Sequence, residues 1–94
     1  MKVIWSPLAI QHLEALCDYV TLDNPEAATD MAARILQAVD ALALHPGMGR
    51  PGRKIGTREL VVNGTPCVIP YRVRKDHLEL IAIFHGRQNW QSLM

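Results

Sequence analysis

Aromatic side chains are scarce in this chain, with one phenylalanine, two tyrosines and two tryptophans in 94 residues. A core without them has to be assembled from Leu, Ile, Val and Ala, as in a small helix-on-sheet domain, and 94 residues are too few for two such cores. Residues 1–94 are therefore expected to form a single domain. No apolar run approaches the length that spans a bilayer, and the N-terminus lacks a charged-then-apolar signal pattern, so the expected location is cytoplasmic, with no membrane partner. Cysteine is equally sparse: Cys17 and Cys67 fall on the apolar sides of a predicted helix and a predicted strand and read as buried free thiols. His12, His45, His77 and His85 show no ligand spacing, which argues against a metal site. The Gly- and Pro-rich segment 46–56, PGMGRPGRKIG, precedes a strand and lacks the spacing of a phosphate-binding loop. Neither metal nor cofactor is expected, and that segment reads as a surface loop.

Net charge is also small, at +1, but it is unevenly distributed. Before Arg50 the acids Glu14, Asp18, Asp23, Glu26, Asp30 and Asp40 outweigh Lys2 and Arg34, for a balance of −4. From Arg50 onward Arg50, Arg53, Lys54, Arg58, Arg72, Arg74, Lys75 and Arg87 face only Glu59, Asp76 and Glu79, for a balance of +5. The C-terminal half thus presents a basic surface suited to an acidic partner or a nucleic acid.

Taken in order, Lys2–Trp5 predicts a short strand, which Ser6 and Pro7 end by capping and opening a helix. Ala9, Leu13, Leu16, Cys17 and Val20 recur at helical spacing to about Thr21, with Gln11, Glu14 and Asp18 on the outer side. Asn24-Pro25-Glu26 repeats the start signal, and Ala28, Met31, Ile35, Val39 and Leu42 form the buried stripe of a second, longer helix that His45-Pro46-Gly47 stops.

From Arg58 to Arg87 the chain predicts two successive β-hairpins. Asn63-Gly64 signals a two-residue type I′ turn, which sets Val62 opposite Thr65, Leu60 opposite Cys67 and Glu59 opposite Val68. The second turn, around Asp76-His77, sets Val73 opposite Leu80 and Arg74 opposite Glu79. On that register Leu60, Cys67, Ile69, Tyr71, Val73, Leu80, Ala82 and Phe84 form the core face, so Phe84 is expected to be buried with Leu13, Leu16, Ile35, Val39 and Ile69. Arg72 and His85 lie on the opposite, partly covered face, which is the candidate site. A three-residue second turn, or a bulge near Pro70, would reverse the faces of the last strand.

The element order is β-α-α-β-β-β, an α+β two-layer domain. With the Ser-Pro-x-Ala opening of the first helix, His-Pro-Gly-Met-Gly-Arg-Pro after the second, Arg58-Glu59-Leu60, Ile69-Pro70-Tyr71-Arg72-Val73 and Ile81-x-x-Phe84-His85-x-Arg87, the chain resembles the RelE/ParE superfamily of bacterial type II toxins over essentially its whole length. The resemblance implies two N-terminal helices packed on one face of a mainly antiparallel sheet, with the N-terminal strand beside the last one. It also implies a growth-inhibiting toxin neutralised by a cognate antitoxin, and contact with operator DNA only through that antitoxin.

The superfamily contains two mechanisms. Some members cleave mRNA on the ribosome, which needs an acid or base and cations around the reacting phosphate; others poison DNA gyrase by contact. His85, Arg87, Arg72 and Arg58 are the candidate residues for toxicity or for antitoxin binding. The chain lacks the dense lysine cluster and the C-terminal tyrosine used by RNA-cleaving members, and its charge is low for a protein that enters ribosomal RNA. These departures favour the ParE-like, gyrase-directed reading over the RelE-like mRNA endonuclease and over a non-toxic antitoxin-binding domain.

Overall fold

The computed structural model describes residues 1–85. Strand β1 (Lys2–Trp5) leads into helices α1 (Pro7–Asp23) and α2 (Pro25–Leu44), followed by β2 (Arg50–Pro51), β3 (Arg58–Val61), β4 (Cys67–Val73), β5 (His77–Leu80) and β6 (Phe84–His85). Both helices begin as their sequences predict. The Ser6 hydroxyl accepts from Ala9 N–H at 3.0 Å, the Asn24 side chain accepts from Ala27 N–H at 3.2 Å, and a proline follows each cap. Asn24 also ends α1, since its own N–H donates to the Val20 carbonyl at 2.8 Å. One residue therefore serves as the whole connection between the helices.

The sheet order is β1-β5-β4-β3-β2, with β6 added to β4. β1 runs parallel to β5 and the other pairings are antiparallel. The N-terminal strand thus lies beside the first half of the segment expected to be one last strand. Helix residues Ala9, Met31, Ile35, Val39 and Leu42 pack with Leu60, Cys67, Ile69, Tyr71, Leu78 and Leu80, flanked by Leu13 and Leu16. A second, smaller cluster of Val68, Ala82 and Phe84 contains no helix residue and marks the other face of the sheet.

Both hairpins depart from the expected register by two residues. The first is closed by Val62 N–H on the Cys67 carbonyl at 3.0 Å, which places Leu60 opposite Ile69 and Glu59 opposite Pro70. Its loop is Asn63–Pro66 and not a type I′ turn, because only Gly64 has positive φ, at 80°. Thr65 stands in for the missing ladder bonds: its hydroxyl donates to the Val62 carbonyl at 3.0 Å and accepts from Cys67 N–H at 3.1 Å. In the second hairpin Arg74 N–H donates to the His77 carbonyl at 2.8 Å, so Val73 meets Leu78, and Arg72, not Arg74, meets Glu79. A slip of two residues keeps each side chain on its face. The core face of β3 and β4 is accordingly as expected for Leu60, Cys67, Ile69 and Tyr71, whereas Val73, at the end of β4, is 42% exposed and stands outside the core.

The last strand is different. Ile81 N–H still donates to the Pro70 carbonyl at 2.9 Å, but Phe84 then pairs with Val68 and His85 with Cys67, one residue out of step with Tyr71 and Leu80. The slip falls opposite Pro70, which has no N–H to return to Ile81. Ile83 consequently joins the helix-side core, and Ala82 and Phe84 turn to the other face. The expectation that Phe84 packs with Ile35, Val39 and Ile69 is therefore corrected, by the bulge near Pro70 that would reverse those faces.

Candidate functional site

The N-cap of α1 and a side chain within it satisfy the backbone that the bulge releases. The Ser6 hydroxyl donates to the Ile81 carbonyl at 2.8 Å, in the place of the N–H that Pro70 lacks, and Ile83 N–H donates to His12 Nδ1 at 3.2 Å. The His12 ring also lies against Phe84, with centroids 5.1 Å apart. Burial lowers the His12 pKa, and accepting at Nδ1 fixes the neutral tautomer with its proton on Nε2. No ligand spacing singles out His12 in the sequence; its role becomes visible only once Pro70 is seen to break the ladder.

The Gly- and Pro-rich segment is more ordered than a plain connecting loop. Tyr71 is fully buried, and its hydroxyl donates to the Pro46 carbonyl at 2.7 Å while accepting from Gly49 N–H at 3.0 Å. A side chain at position 49 would place its Cβ 2.5 Å from that hydroxyl and 2.9 Å from the Glu59 carbonyl, so the close approach requires glycine. Burial pushes the Tyr71 phenol up, against the opposing pull of the Gly49 N–H and the Arg58 charge. Arg58 donates to the carbonyls of Gly49 at 2.9 Å and Gly47 at 3.3 Å. Glu59, only 3% exposed, accepts from Arg50 Nε at 3.1 Å and from the backbone N–H of Arg53 at 3.2 Å, with the Arg53 guanidinium 3.7 Å away. A buried carboxylate so supplied with donors is a latch, which holds segment 50–53 at the edge of the sheet, where β2 pairs with β3.

The expected site residues do not converge. Arg58 pairs with Tyr71 and so lies on the helix side, at the end of the sheet. Arg72 is on the opposite face, where its Nε donates to Glu79 at 3.0 Å. His85 pairs with Cys67 and is turned to the helix side by the bulge, where it lines a cavity of about 430 Å³ with His12, Tyr19 and Ile83. Arg87 and Trp90 lie outside the described residues. Arg72 instead borders a cavity of about 300 Å³ with Lys54, Ile55, Ala82 and Phe84. Phe84 separates the two cavities, since it lines both.

Cys67 is buried and Cys17 half-buried, both as free thiols, and burial raises the pKa of each. Neither is poised as a nucleophile. Among the described residues no cluster of three or more His, Cys, Asp or Glu is placed to hold a metal ion, and no helix is long and apolar enough to cross a membrane.

This arrangement of helices and sheet has relatives. A solved structure titled "Chromosomal ParDE TA system from P. aeruginosa" superposes with a TM-score of 0.80 at 31% identity, over 90% of this chain and 95% of that one. In sequence the chain is 41% identical over 93 residues to "Putative toxin Y4kP" of Sinorhizobium fredii, which covers 99% of this chain and 96% of the relative. It is 38% identical over 85 residues to "Toxin RelE2" of Caulobacter vibrioides, covering 90% and 94% respectively. A family model described as "ParE toxin of type II toxin-antitoxin system, parDE" matches residues 3–90. By fold, by sequence and by the extent of the match, the chain belongs to the ParE toxin family of type II toxin-antitoxin systems.

Proposed function

We propose that this toxin binds a cognate antitoxin directly and, when free of it, arrests growth by a ParE-like contact with DNA gyrase and not by cutting mRNA. The observation that carries the second part is the dispersal of Arg58, Arg72 and His85. Cleavage through a 2′-hydroxyl needs a proton-transfer group and cations within reach of one phosphate. Here one arginine holds loop carbonyls on the helix side, the other is paired with Glu79 on the opposite face, and His85 faces the helices. A contact poison needs no such convergence. The antitoxin is supported by the family itself and by the structural neighbour, whose title names a ParDE system.

The test is expression without the neighbouring reading frame. The expected result is growth arrest with gyrase-dependent DNA breaks and an SOS response, relieved by co-expression of that frame, with His85→Gln nearly silent. Ribosome-dependent mRNA cleavage by the purified chain, lost in His85→Gln and without any gyrase effect, would establish the RNase reading in its place. Unimpeded growth with abundant folded protein would remove toxicity altogether.

A further inference from the structure

The two edges of the sheet are finished differently. At one end β2 has only two residues, and one of them is Pro51, which has no N–H to offer another strand. At the other end β1 has a neighbour, β5, on one side only among the described residues. It contains no proline and pairs without a bulge from Lys2 to Trp5, and its one charge, Lys2, stands at its start. Such an edge is a template for a further strand.

The hydrogen bonds of β1 show which groups it offers. Ser6 N–H donates to the Leu80 carbonyl at 3.1 Å, in continuation of the parallel ladder in which Trp5 is level with Leu80. Backbone groups along a strand alternate from side to side, so Lys2 and Ile4 turn theirs to β5 as Ser6 does, and Val3 and Trp5 turn theirs outward. The side chains alternate between the faces. Val3 and Trp5 are half-buried against the helix-side core, and Ile4 is exposed on the other face. The Met1 ammonium donates to the Ala43 carbonyl at 3.0 Å, which brings Met1 to the end of α2 next to Leu44. Met1, Ile4 and Leu44 are all exposed, so the open edge has an apolar border.

We infer that β1 pairs antiparallel with β1 of a second copy of this chain, across a two-fold axis that sets Ile4 opposite the partner's Ile4. On this register Val3 and the partner's Trp5 exchange N–H···O bonds, and Trp5 does the same with the partner's Val3, which uses every outward group of both strands. Ile4 falls at the non-hydrogen-bonded position, where facing side chains come closest. A shift of one residue would set Ile4 against a helix-side side chain. Centring the axis on Val3 instead would call on the backbone nitrogen of Met1, which Ala43 already holds. The occupant is a copy and not an unrelated strand because the edge complements itself. Outward groups, apolar border and faces all match under the two-fold rotation, and Lys2 falls opposite the partner's Ser6, away from the partner's Lys2. Pro51 then ends the joined sheet on both sides, so association stops at a dimer.

The experiment measures the mass of the purified full chain by sedimentation equilibrium over a range of concentrations. The wild type should pass from monomer to dimer, and no further, as concentration rises. Ile4→Lys puts two ammonium groups face to face and should weaken the dimer roughly ten- to a hundredfold, with an unchanged melting temperature because the new charge lies beside Glu79 of β5. Ile4→Glu should weaken it as well, and an equimolar mixture of the two variants should recover a dimer, which only facing positions can do. Val61→Lys, at a similarly exposed site on β3, should leave association within about twofold. A wild type that stays monomeric, a dimer that both Ile4 variants leave intact, a mixture that associates no better than its components, or an equal loss in Val61→Lys overturns the inference. Amide protection at Val3 and Trp5 that appears only with the product of the adjacent reading frame overturns it too, and gives the edge to that protein.

Discussion

The hydroxyl of Ser6 reaches the carbonyl of Ile81, 2.8 Å away and 75 positions along the chain, and supplies the hydrogen bond that Pro70 cannot give. The same oxygen caps α1 through Ala9 N–H. Ser6→Ala removes both bonds and should cost about 1–3 kcal/mol, the sum expected of a lost cap and an orphaned carbonyl. Ser6→Thr should retain most of that stability. Urea denaturation of the two variants checks it, and equal midpoints would sink the dual role.

The reversed faces of the last segment can be measured by coupling. Phe84→Ala should cost about 3–5 kcal/mol. In double-mutant cycles it should be non-additive with Val68→Ala, its partner across β4 and β6, and additive to within about 0.5 kcal/mol with Ile69→Ala on the other face. Strong coupling to Ile69 would restore the register expected from the turns alone.

The Tyr71 hydroxyl is the tie between the helix-to-sheet connection and the core. Tyr71→Phe should cost about 1–3 kcal/mol, since it leaves the Gly49 N–H and the Pro46 carbonyl without their partner. Amide exchange at Gly49 should accelerate in parallel. Exchange unchanged from wild type would mean that the loop is held by Arg58 and Glu59 alone.

Arg58 and Arg72 should separate by stability. Arg58→Ala loses two carbonyl partners in the loop and should cost about 1–2 kcal/mol. Arg72→Ala breaks a half-exposed pair and should cost less than about 1 kcal/mol. Thermal melts of both variants provide the comparison, and a larger loss at Arg72 would contradict it.

His12 gives the fold a pH dependence of defined sign. Its pKa is lowered by burial, so the unfolded chain takes up a proton at higher pH than the folded one does. The contribution is fully present above the unfolded value of about 6.5 and is lost as pH falls below it. Asp76, whose pKa is lowered by its hydrogen bond with His77, acts only in the carboxylate range and should not interfere. Stability measured from pH 7.5 to 5 should therefore fall less steeply in His12→Gln than in wild type. Parallel profiles would exclude His12 as the titrating group.

The helices were legible because each signal is local: Ser6-Pro7 and Asn24-Pro25 start them, and apolar residues at three- and four-residue spacing set their buried sides. The hairpin registers were not, since Thr65 and Arg74 select loops whose bonds cannot be read from turn propensity. Parity protected the faces of β3 and β4 from that error. It could not protect β6, where a slip of one residue opposite Pro70 exchanged the environments of Ile83 and Phe84 and carried His85 away from Arg72. The latch on Glu59 and the place of Ile55 depend on how segment 50–57 runs along the edge of the sheet, and neither leaves a periodic trace. Only the clustering of charge after Arg50 pointed toward that end of the molecule.

The pairing of β1 with β5 joins residues 2–5 to residues 77–80, and it has a consequence for synthesis. A nascent chain that stops before His77 has both helices but no neighbour for its first strand, and the bulge that Ser6 and His12 hold has not yet been made. Folding thus waits until residues 77–80 have been made, in keeping with the slow closure of distant parallel strands. A polypeptide interrupted earlier lacks the strand that completes its sheet, so ribosome stalling or message decay within the reading frame leaves fragments without the folded toxin.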